Sequence, residues 1–237
     1  MLQKEEVIFD STDIIGETRM NVIITDLSDK TQTRISMPGP EVQDFTLASL
    51  LYKIHKAEPR PCFWVLSGSL SVSRPLDTFR WIIQSLNDRG EKCVLDADAD
   101  VLAEGIKAKP FMIKPNEFEI ERLAGRTVKR VEEIHVEIVA VTLDGQGALV
   151  TTKDDSYLVE APKVEVKSKV GAGDSFIAGF LNALRSGKDI KEASREPVAA
   201  RTAAVIKEGT GLFSREDFEK IRKEVKVSSL MPKVQAG

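Results

Sequence analysis

The sequence predicts an α/β fold with a mostly parallel sheet, helices on both faces of that sheet and a small β lid. Two observations support this fold class. From about residue 62 onward, short apolar runs alternate with segments whose apolar residues recur at helical spacing, which is typical of repeated βα units. Before residue 40 the chain instead contains two strand candidates with no helix between them. We therefore expect a lid segment at residues 1–40 and an α/β domain at residues 41–237.

The lid candidate is an antiparallel hairpin. Its strands are "NVIITD" (21–26) and "TRISMP" (33–38), and the polar turn "LSDK" joins them. The segment "NVIIT" is apolar on both faces, and a two-stranded ribbon is only marginally stable by itself. Because an exposed apolar edge usually needs cover, we expect a homodimer that is built through the hairpin, residues about 20–36.

The α/β domain begins with "CFWVLSG" (62–68), a short apolar run that ends in Ser and Gly and is typical of a buried parallel strand. "PLDTFRWIIQSLNDRG" (75–90) follows as a helix, with Pro75 near its start and Gly90 as its stop. The same alternation then continues. Further strand candidates are 92–98, 111–116 and 137–143, and further helix candidates are 100–107 and 117–125.

The C-terminal part of the chain combines a hairpin with helices. "ALVTT" (148–152) and "YLVEAP" (157–162) flank a polar turn and predict two antiparallel strands. Ser214, with Asp217 three residues later, predicts a capping box at the start of the last helix. The helix candidates here are 172–187, 190–207 and 214–224.

Composition limits the classes of function. The 237 residues are 42% hydrophobic and 30% charged with a formal net charge of -3, which argues against a general nucleic-acid or anionic-membrane surface. No stretch reaches the ~18 apolar residues of a membrane span, and "MLQKEEVIFD" lacks the apolar region of a signal peptide. Cys62 and Cys93 lie in apolar settings and are predicted to be buried thiols. We expect a cytoplasmic protein with no nucleic-acid or membrane partner.

The polar clusters of the chain follow the predicted strands. In a parallel sheet ligands bind outside the carboxyl ends of the strands, and "SGSLS", "DADAD", "KPNEFE" and "TLDGQG" occupy such positions. "VGAGD" opens the helix at residue 172. Small residues there allow close approach to a ligand, and the free N–H groups of a helix N-terminus suit an anion such as phosphate. Asp174 is then either a base acting on an attacking hydroxyl or simply a helix cap, and the GxGD pattern alone favours the cap.

The wider sequence resembles a known family. "SKVGAGDSFIAGFL" (168–181) resembles the second signature of the ribokinase-like carbohydrate kinases, in particular the phosphofructokinase-B branch that includes 1-phosphofructokinases and tagatose-6-phosphate kinases. Five other stretches resemble that family in the same order: "GETRMN" in the lid, "SGSL" on the sugar side, "KPNEFE" as the N-x-x-E motif, and "TLDGQGALV" and "KEGTGLFSREDF" as nucleotide segments. The resemblance runs from about Gly16 to about Phe218 and implies a ribokinase-like fold.

The resemblance also implies catalytic roles. Asp174 would take the proton from the accepting sugar hydroxyl. The backbone amides of Gly171, Ala172 and Gly173 would form an anion hole for the transferred phosphoryl group. Both roles agree with the chemistry of phosphoryl transfer, which depends mainly on positioning and charge stabilisation.

ATP and Mg²⁺ are the cofactors that the resemblance implies. It assigns nucleotide contacts to Lys114, Asn116, Thr142, Gly145, Gly147, Gly209 and Thr210. Asn116 and Glu119 would bind Mg²⁺ mainly through its waters, which suits an ion that retains part of its hydration shell. By residue type alone, Glu119 would instead lie on a solvated helix face.

The sugar-phosphate side is assigned by the same resemblance to Arg19, Asn21 and Ser69. The planar fork of an arginine can hold a phosphate through two hydrogen bonds. Without the resemblance, Arg19 would be interpreted as an exposed strand residue.

The sequence departs from the family in several places. Lys169 stands where a small or hydroxyl residue is usual, and Asp144 replaces the glycine of the nucleotide loop. A carboxylate near ATP phosphates is unfavourable unless it points away or meets the metal. The family's Asn-Pro-x-x-Asp strand and Gly-Gly-Lys-Gly-x-Asn segment do not occur. In addition, the helix expected from about Val128 runs into the next strand with almost no connection near residues 134–135, where ~2–6 residues are usual.

The leading hypothesis is an ATP-dependent kinase for a phosphorylated ketohexose, namely fructose 1-phosphate, fructose 6-phosphate or tagatose 6-phosphate. An arginine in the lid supports this substrate class. Two alternatives remain open, a kinase for an unphosphorylated sugar or nucleoside and a non-catalytic nucleotide-binding fragment.

Overall fold

The computed structural model describes residues 7–26, 28, 31–126 and 134–230. Their contacts divide the chain into two units, Met1–Pro61 with Ser69–Thr78 and Cys62–Gly68 with Phe79–Gly237. The division into a lid of residues 1–40 and a kinase domain of residues 41–237 stays a prediction. The helix expected from about Val128 begins outside the described residues.

The first unit contains the predicted hairpin. Strand β1 (Asn21–Thr25) pairs antiparallel with β2 (Gln32–Ser36), and every residue of both strands is exposed. Helix α1 (Asp44–Lys56), which the sequence analysis did not predict, follows the hairpin. The Ser71 hydroxyl donates to the Pro40 carbonyl at 2.8 Å, and this bond ties the 69–78 segment to the residues before α1.

The second unit contains a seven-stranded sheet whose strands follow one another in chain order. The first four strands run parallel, and each later pair is antiparallel. The strands are β3 (Trp64–Ser67), β4 (Cys93–Asp96), β5 (Met112–Ile113), β6 (Ile138–Leu143), β7 (Gly147–Thr151), β8 (Ser156–Glu160) and β9 (Lys226–Ser229). The predicted α/β fold class is confirmed, although β9 was not predicted.

The remaining helices agree with the predicted pattern. They are α2 (Thr78–Asn87), α3 (Ala99–Gly105), α4 (Glu117–Arg126), α5 (Ala172–Arg185), α6 (Ile190–Val205) and α7 (Arg215–Glu224). The capping box predicted for the last helix is confirmed, because Ser214 and Asp217 exchange hydrogen bonds between side chain and backbone.

Helices cover both faces of the sheet. Val94 belongs to the large buried cluster that also contains Phe176 and Phe180 of α5. Leu95, the next residue of β4, points to the opposite face because side chains alternate along a strand. There it lies against α3, where a Cβ added to Gly105 would be 2.3 Å from the Leu95 side chain.

Close packing of α5 and α6 positions the segment that precedes α5. A Cβ added to Gly179 of α5 would be 2.9 Å from the Glu196 carbonyl oxygen of α6, so glycine permits this approach. The backbone N–H groups of Lys167 and Ser168 both donate to the Val205 carbonyl at the end of α6, at 2.8 and 3.2 Å. The turn at the N-terminus of α5 is therefore anchored to α6.

The two cysteines differ from each other. Cys93 is buried as predicted, and its burial raises the pKa of the thiol to about 12. Cys62 is exposed, so the prediction of a buried thiol was wrong there, because β3 begins only at Trp64 and is itself partly exposed. Within the described ranges, no helix is both long and apolar enough to cross a membrane.

Candidate active site

A cavity of about 730 Å³ lies in the second unit, beside the carboxyl ends of β5 and β6 and the start of α5. This is where an α/β sheet binds ligands. The predicted site residues that line it are Lys114, Asn116, Thr142, Gly145, Gly147, Ala172 and Gly173. The structure thus brings most of the predicted nucleotide contacts and two of the anion-hole residues to one cavity.

The turn before α5 has the backbone shape that an anion hole requires. Gly171 is the N-cap of α5 with φ +74°, in the left-handed region that favours glycine, and a Cβ there would meet nothing within 4 Å. The first N–H groups of a helix have no acceptor within the helix. The N–H group of Ala172 lies 3.4 Å from the Lys169 carbonyl, at the long end of hydrogen bonding. The open backbone at Gly171 therefore faces space that a ligand can fill.

Asp174 lies in the first turn of α5 and is exposed. The N-cap, Gly171, has no side chain to cap the helix. Among the residues that the structure describes, the Asp174 carboxylate has no hydrogen bond or ion pair. It does not serve as a hydrogen-bonding cap, and its oxygens are available to a ligand.

Lys114 brings a positive charge next to this turn. Its side chain is only 10% exposed and pairs with Asp96 at 3.0 Å. A Cβ added to Gly173 would be 3.7 Å from the Lys114 Nζ atom, so the ammonium lies beside the α5 N-terminus. A buried cation at this position adds to the helix dipole and favours an anionic ligand. The sequence analysis did not assign a role to Asp96, which orients this lysine.

Asn116 and Glu119 form a reciprocal cap at the start of α4. The Asn116 N–H group donates to Glu119 Oε2 at 2.8 Å, and the Glu119 N–H group donates to Asn116 Oδ1 at 2.9 Å. Desolvation raises the pKa of Glu119, while the Asn116 hydrogen bond and Lys114 oppose this effect. Glu119 is therefore a partly buried capping residue and not a solvated helix-face residue.

The same two side chains have oxygens suited to Mg²⁺, a cation that prefers oxygen ligands. No group of three or more His, Cys, Asp or Glu that could hold a metal occurs in the part of the chain that the structure describes. Two side chains offer too few oxygens for an octahedral Mg²⁺ ion, so an ion held by Asn116 and Glu119 would retain most of its water shell.

The predicted nucleotide loop begins where β6 ends. The Thr142 N–H group donates to the Pro115 carbonyl at 2.9 Å, which places Thr142 alongside Asn116. A Cβ at Gly145 would meet nothing within 4 Å. Gly147 differs, because its φ is +127° and a Cβ there would be 1.9 Å from the Val159 carbonyl oxygen. Strand packing therefore requires a glycine at 147 independently of any ligand.

The two residues that depart from the family pattern meet at this loop. Lys169 Nζ donates to Oδ1 and Oδ2 of Asp144 at 3.1 and 3.3 Å. Arg201 of α6 lies 3.7 Å from Asp144 and also donates to the Gly147 carbonyl at 3.4 Å. Burial lowers the pKa of Arg201, while Asp144 and Glu117 oppose the shift. The sequence analysis missed Arg201, because it belongs to no motif and reaches the cavity only when α6 packs on α5.

Other predicted residues do not line this cavity. Gly171, Asp174 and Glu119 are next in sequence to lining residues without belonging to the lining themselves. Gly209 and Thr210 are exposed and follow α6 in a turn where Gly209 has φ +58°. Arg19, Asn21 and Ser69 belong to the first unit, where all three are exposed and Asn21 pairs with Ser36. Their roles stay predictions.

An exposed carboxylate beside a helix N-terminus that can receive an anion is an arrangement suited to phosphoryl transfer. The chain belongs to the pfkB family of carbohydrate kinases, which matches residues 1–217. It is therefore an ATP-dependent sugar kinase with a ribokinase-like fold, as the signature at 168–181 predicted.

Individual relatives agree with this family. The chain is 30% identical over 239 residues to the 1-phosphofructokinase of Bacillus subtilis, covering 97% of this chain and 77% of that protein. It is 27% identical over 216 residues to the ATP-dependent 6-phosphofructokinase isozyme 2 of Escherichia coli, covering 86% and 70%.

Solved structures show the same likeness. The crystal structure of phosphofructokinase-2 from Escherichia coli in complex with substrates and products superposes with a TM-score of 0.85 at 27% identity, covering 94% of this chain and 76% of that one. The tetrameric inhibited form of the same enzyme matches with a TM-score of 0.81 at 26% identity, covering 94% and 75%.

Proposed function

We propose that this chain transfers the γ-phosphoryl group of ATP to a hydroxyl of a phosphorylated ketohexose: fructose 1-phosphate, fructose 6-phosphate or tagatose 6-phosphate. The observation that carries the proposal is the exposed carboxylate of Asp174, which has no partner among the described residues and lies beside the open backbone at Gly171. The names of the Bacillus subtilis and Escherichia coli relatives support the substrate class.

In this reaction Asp174 takes the proton of the attacking hydroxyl. The N–H groups of Gly171, Ala172 and Gly173 donate hydrogen bonds to the oxygens of the phosphoryl group, whose charge they stabilise. Lys114, beside Gly173, adds a positive charge at the same place. When bound, ATP supplies the phosphoryl group, and Mg²⁺ neutralises part of its charge.

Asn116, Thr142, Gly145 and Gly147 line the cavity, whereas Glu119 is held beside Asn116 by their reciprocal hydrogen bonds. Asn116 and Glu119 would hold the waters of Mg²⁺, and Thr142, Gly145 and Gly147 would contact the nucleotide. Gly209 and Thr210, which lie outside the cavity lining, are proposed to contact the adenosine.

On the sugar side, Arg19 binds the phosphate that the substrate already carries, with Asn21 and Ser69 beside the sugar. In the part of the chain that the structure describes, the Arg19 side chain is exposed and has no acidic partner. Its guanidinium is therefore available for a bidentate contact with a phosphate. Residues 1–40 would serve as the lid that carries this arginine.

The hairpin supports a proposal about assembly. Val22, Ile24 and Ile35 are each more than two-fifths exposed, and both strands are exposed along their full length. An apolar ribbon of this kind requires cover. We propose a homodimer whose subunits meet through this hairpin.

A substrate panel tests the function. The purified chain is assayed with ATP and Mg²⁺ on fructose 1-phosphate, fructose 6-phosphate, tagatose 6-phosphate, free fructose and ribose, and ADP release is recorded. We expect the highest kcat/KM with one of the phosphorylated ketohexoses. The Asp174→Asn variant, purified in parallel, controls for contaminating host kinases.

The panel also separates the alternatives. Faster turnover of fructose or ribose than of every phosphorylated sugar would favour a kinase for an unphosphorylated substrate. Binding of ADP without turnover of any sugar would favour a non-catalytic nucleotide-binding protein.

A further inference from the structure

Asp144 and Lys169 join two segments that border the cavity. Asp144 opens the nucleotide loop after β6, and Lys169 lies in the turn before α5. Both residues line the cavity, and the Lys169 ammonium donates to both carboxylate oxygens of Asp144. The pair therefore connects the nucleotide loop directly to the anion-hole turn.

The backbone at both residues takes part in the shape of the site. Asp144 has φ +34°, in the left-handed region where glycine is favoured, so an aspartate is held there at some conformational cost. The carbonyl of Lys169 lies 3.4 Å from the Ala172 N–H group of the anion hole. A change in the position of Lys169 would therefore be transmitted to that N–H group.

The charges explain why the carboxylate is tolerated. An unpaired aspartate on the rim of a polyphosphate site would repel the ligand. Here two cations neutralise it, Lys169 at 3.1 Å and Arg201 at 3.7 Å. Arg201 also donates a hydrogen bond to the Gly147 carbonyl and is less exposed than Lys169.

The exposure of the two side chains indicates that the pair affects ligand binding more than folding stability. The side chains of Lys169 and Asp144 are 61% and 66% exposed. Exposed ion pairs contribute little to folding stability, because solvent screens them and two side chains must be ordered. A bound polyanion is affected more directly, since both residues line its cavity.

We propose that Asp144 and Lys169 act as a positioning pair that sets nucleotide affinity. Lys169 cancels the repulsion between Asp144 and the nucleotide phosphates. This inference rests on the proposed function, because it requires that the cavity bind the nucleotide.

A double-mutant cycle measures the coupling. ADP binding in MgCl₂ is measured by calorimetry for the wild type, Asp144→Asn, Lys169→Met and the double variant. Asparagine removes the charge of Asp144 and tolerates the left-handed backbone. We expect Lys169→Met alone to raise the Kd for ADP about three- to tenfold, a range typical of a partly screened charge contact. Asp144→Asn alone and the double variant should bind about as well as the wild type.

Lys153→Met is the matched control. Lys153 is an exposed lysine in the turn between β7 and β8 and does not line the cavity. Its loss should leave the Kd unchanged. Melting temperatures confirm that each variant is folded, and Lys169→Gln replaces the methionine variant if that variant is not.

Several outcomes would overturn the proposal. They are an unchanged Kd in Lys169→Met, an equal loss of ADP affinity in Lys153→Met, or a loss of affinity in Lys169→Met that persists in the double variant, which would indicate a direct phosphate contact. A wild type that binds no ADP would refute the nucleotide site and this inference with it. A wild type that shows the coupling but phosphorylates no sugar would refute only the proposed sugar kinase activity.

Discussion

Substitution of Asp174 by asparagine separates a catalytic carboxylate from a structural one. The side chain is exposed and has no partner among the described residues, so the change removes one negative charge and no contact within the protein. Asparagine keeps the size of the side chain but cannot accept the proton of a sugar hydroxyl. The expected result is a folded protein that binds ATP and does not turn it over.

A structural role and a catalytic role of Asp174 predict effects of different size. If Asp174 only complements the helix dipole in the first turn of α5, its loss costs about 0.3–1 kcal/mol of stability and nothing in rate. If it is the general base, kcat falls ~10²–10⁴-fold, which corresponds to about 3–5 kcal/mol of activation free energy. The catalytic effect is several times larger and appears in a different measurement.

The assay therefore combines kinetics with binding and stability. The kcat with the best sugar phosphate, the Kd for ADP and the urea-unfolding free energy are measured for both proteins. Asp154→Asn is the matched control, because Asp154 is an exposed aspartate in the turn between β7 and β8 and does not line the cavity. A kcat within a factor of about two of the wild type would remove Asp174 from the mechanism.

Four further changes test other parts of the structure. Arg19→Ala should raise the KM for the phosphosugar about tenfold to hundredfold and leave the KM for ATP unchanged; an unchanged phosphosugar KM would show that this arginine does not bind the substrate. Glu196 is 7% exposed and is paired with two cations, so Glu196→Ala should lower the free energy of unfolding by about 2 kcal/mol, whereas Glu192→Ala on the exposed face of α6 should not. Ile24→Lys should convert the proposed homodimer to a monomer in sedimentation, and a wild type that is already monomeric at micromolar concentration would contradict the proposed interface. The folded structure raises the pKa of Glu119, so the stability that this carboxyl group contributes is complete below the unfolded pKa of about 4.3 and is lost as the pH rises through the folded pKa. Glu119→Gln should remove that part of the pH dependence of urea unfolding. A variant whose pH profile is identical to that of the wild type would argue against the raised pKa.

Most helices and strands of the second unit can be predicted from the apolar periodicity of the sequence and from the Gly and Pro residues at their ends. Helix α5 begins at residue 172 as predicted, because its apolar residues recur at helical spacing directly after Gly171. Helix α1 was not predicted although the apolar residues at 47, 50, 51 and 54 recur at helical spacing, and in the structure only Thr46 of this helix is buried. Strand β9 was missed because "KVSS" has little apolar character and extends only by pairing with β8.

The candidate site could be predicted as a set of segments but not as a set of contacts. The nucleotide loop and the turn before α5 were both assigned from the sequence, and both line the cavity. Contacts between distant segments depend on how elements pack. The pairing of Lys114 with Asp96 exists because β4 and β5 are neighbours in the sheet, and no local pattern indicates that these two charges meet.

The two departures from the family pattern show most clearly that contacts between distant segments cannot be predicted from the sequence alone. Taken separately, Asp144 places a negative charge at the nucleotide loop and Lys169 replaces a small residue at the anion hole, and each weakens the assignment of its own segment. In the structure the carboxylate and the ammonium are 3.1 Å apart, so Lys169 supplies the charge that makes Asp144 acceptable beside the phosphates of a nucleotide. The substitutions are then one compensated change and not two independent defects. It follows that restoring a small residue at 169 alone should harm nucleotide binding more than changing both positions, although the single change looks closer to the family pattern.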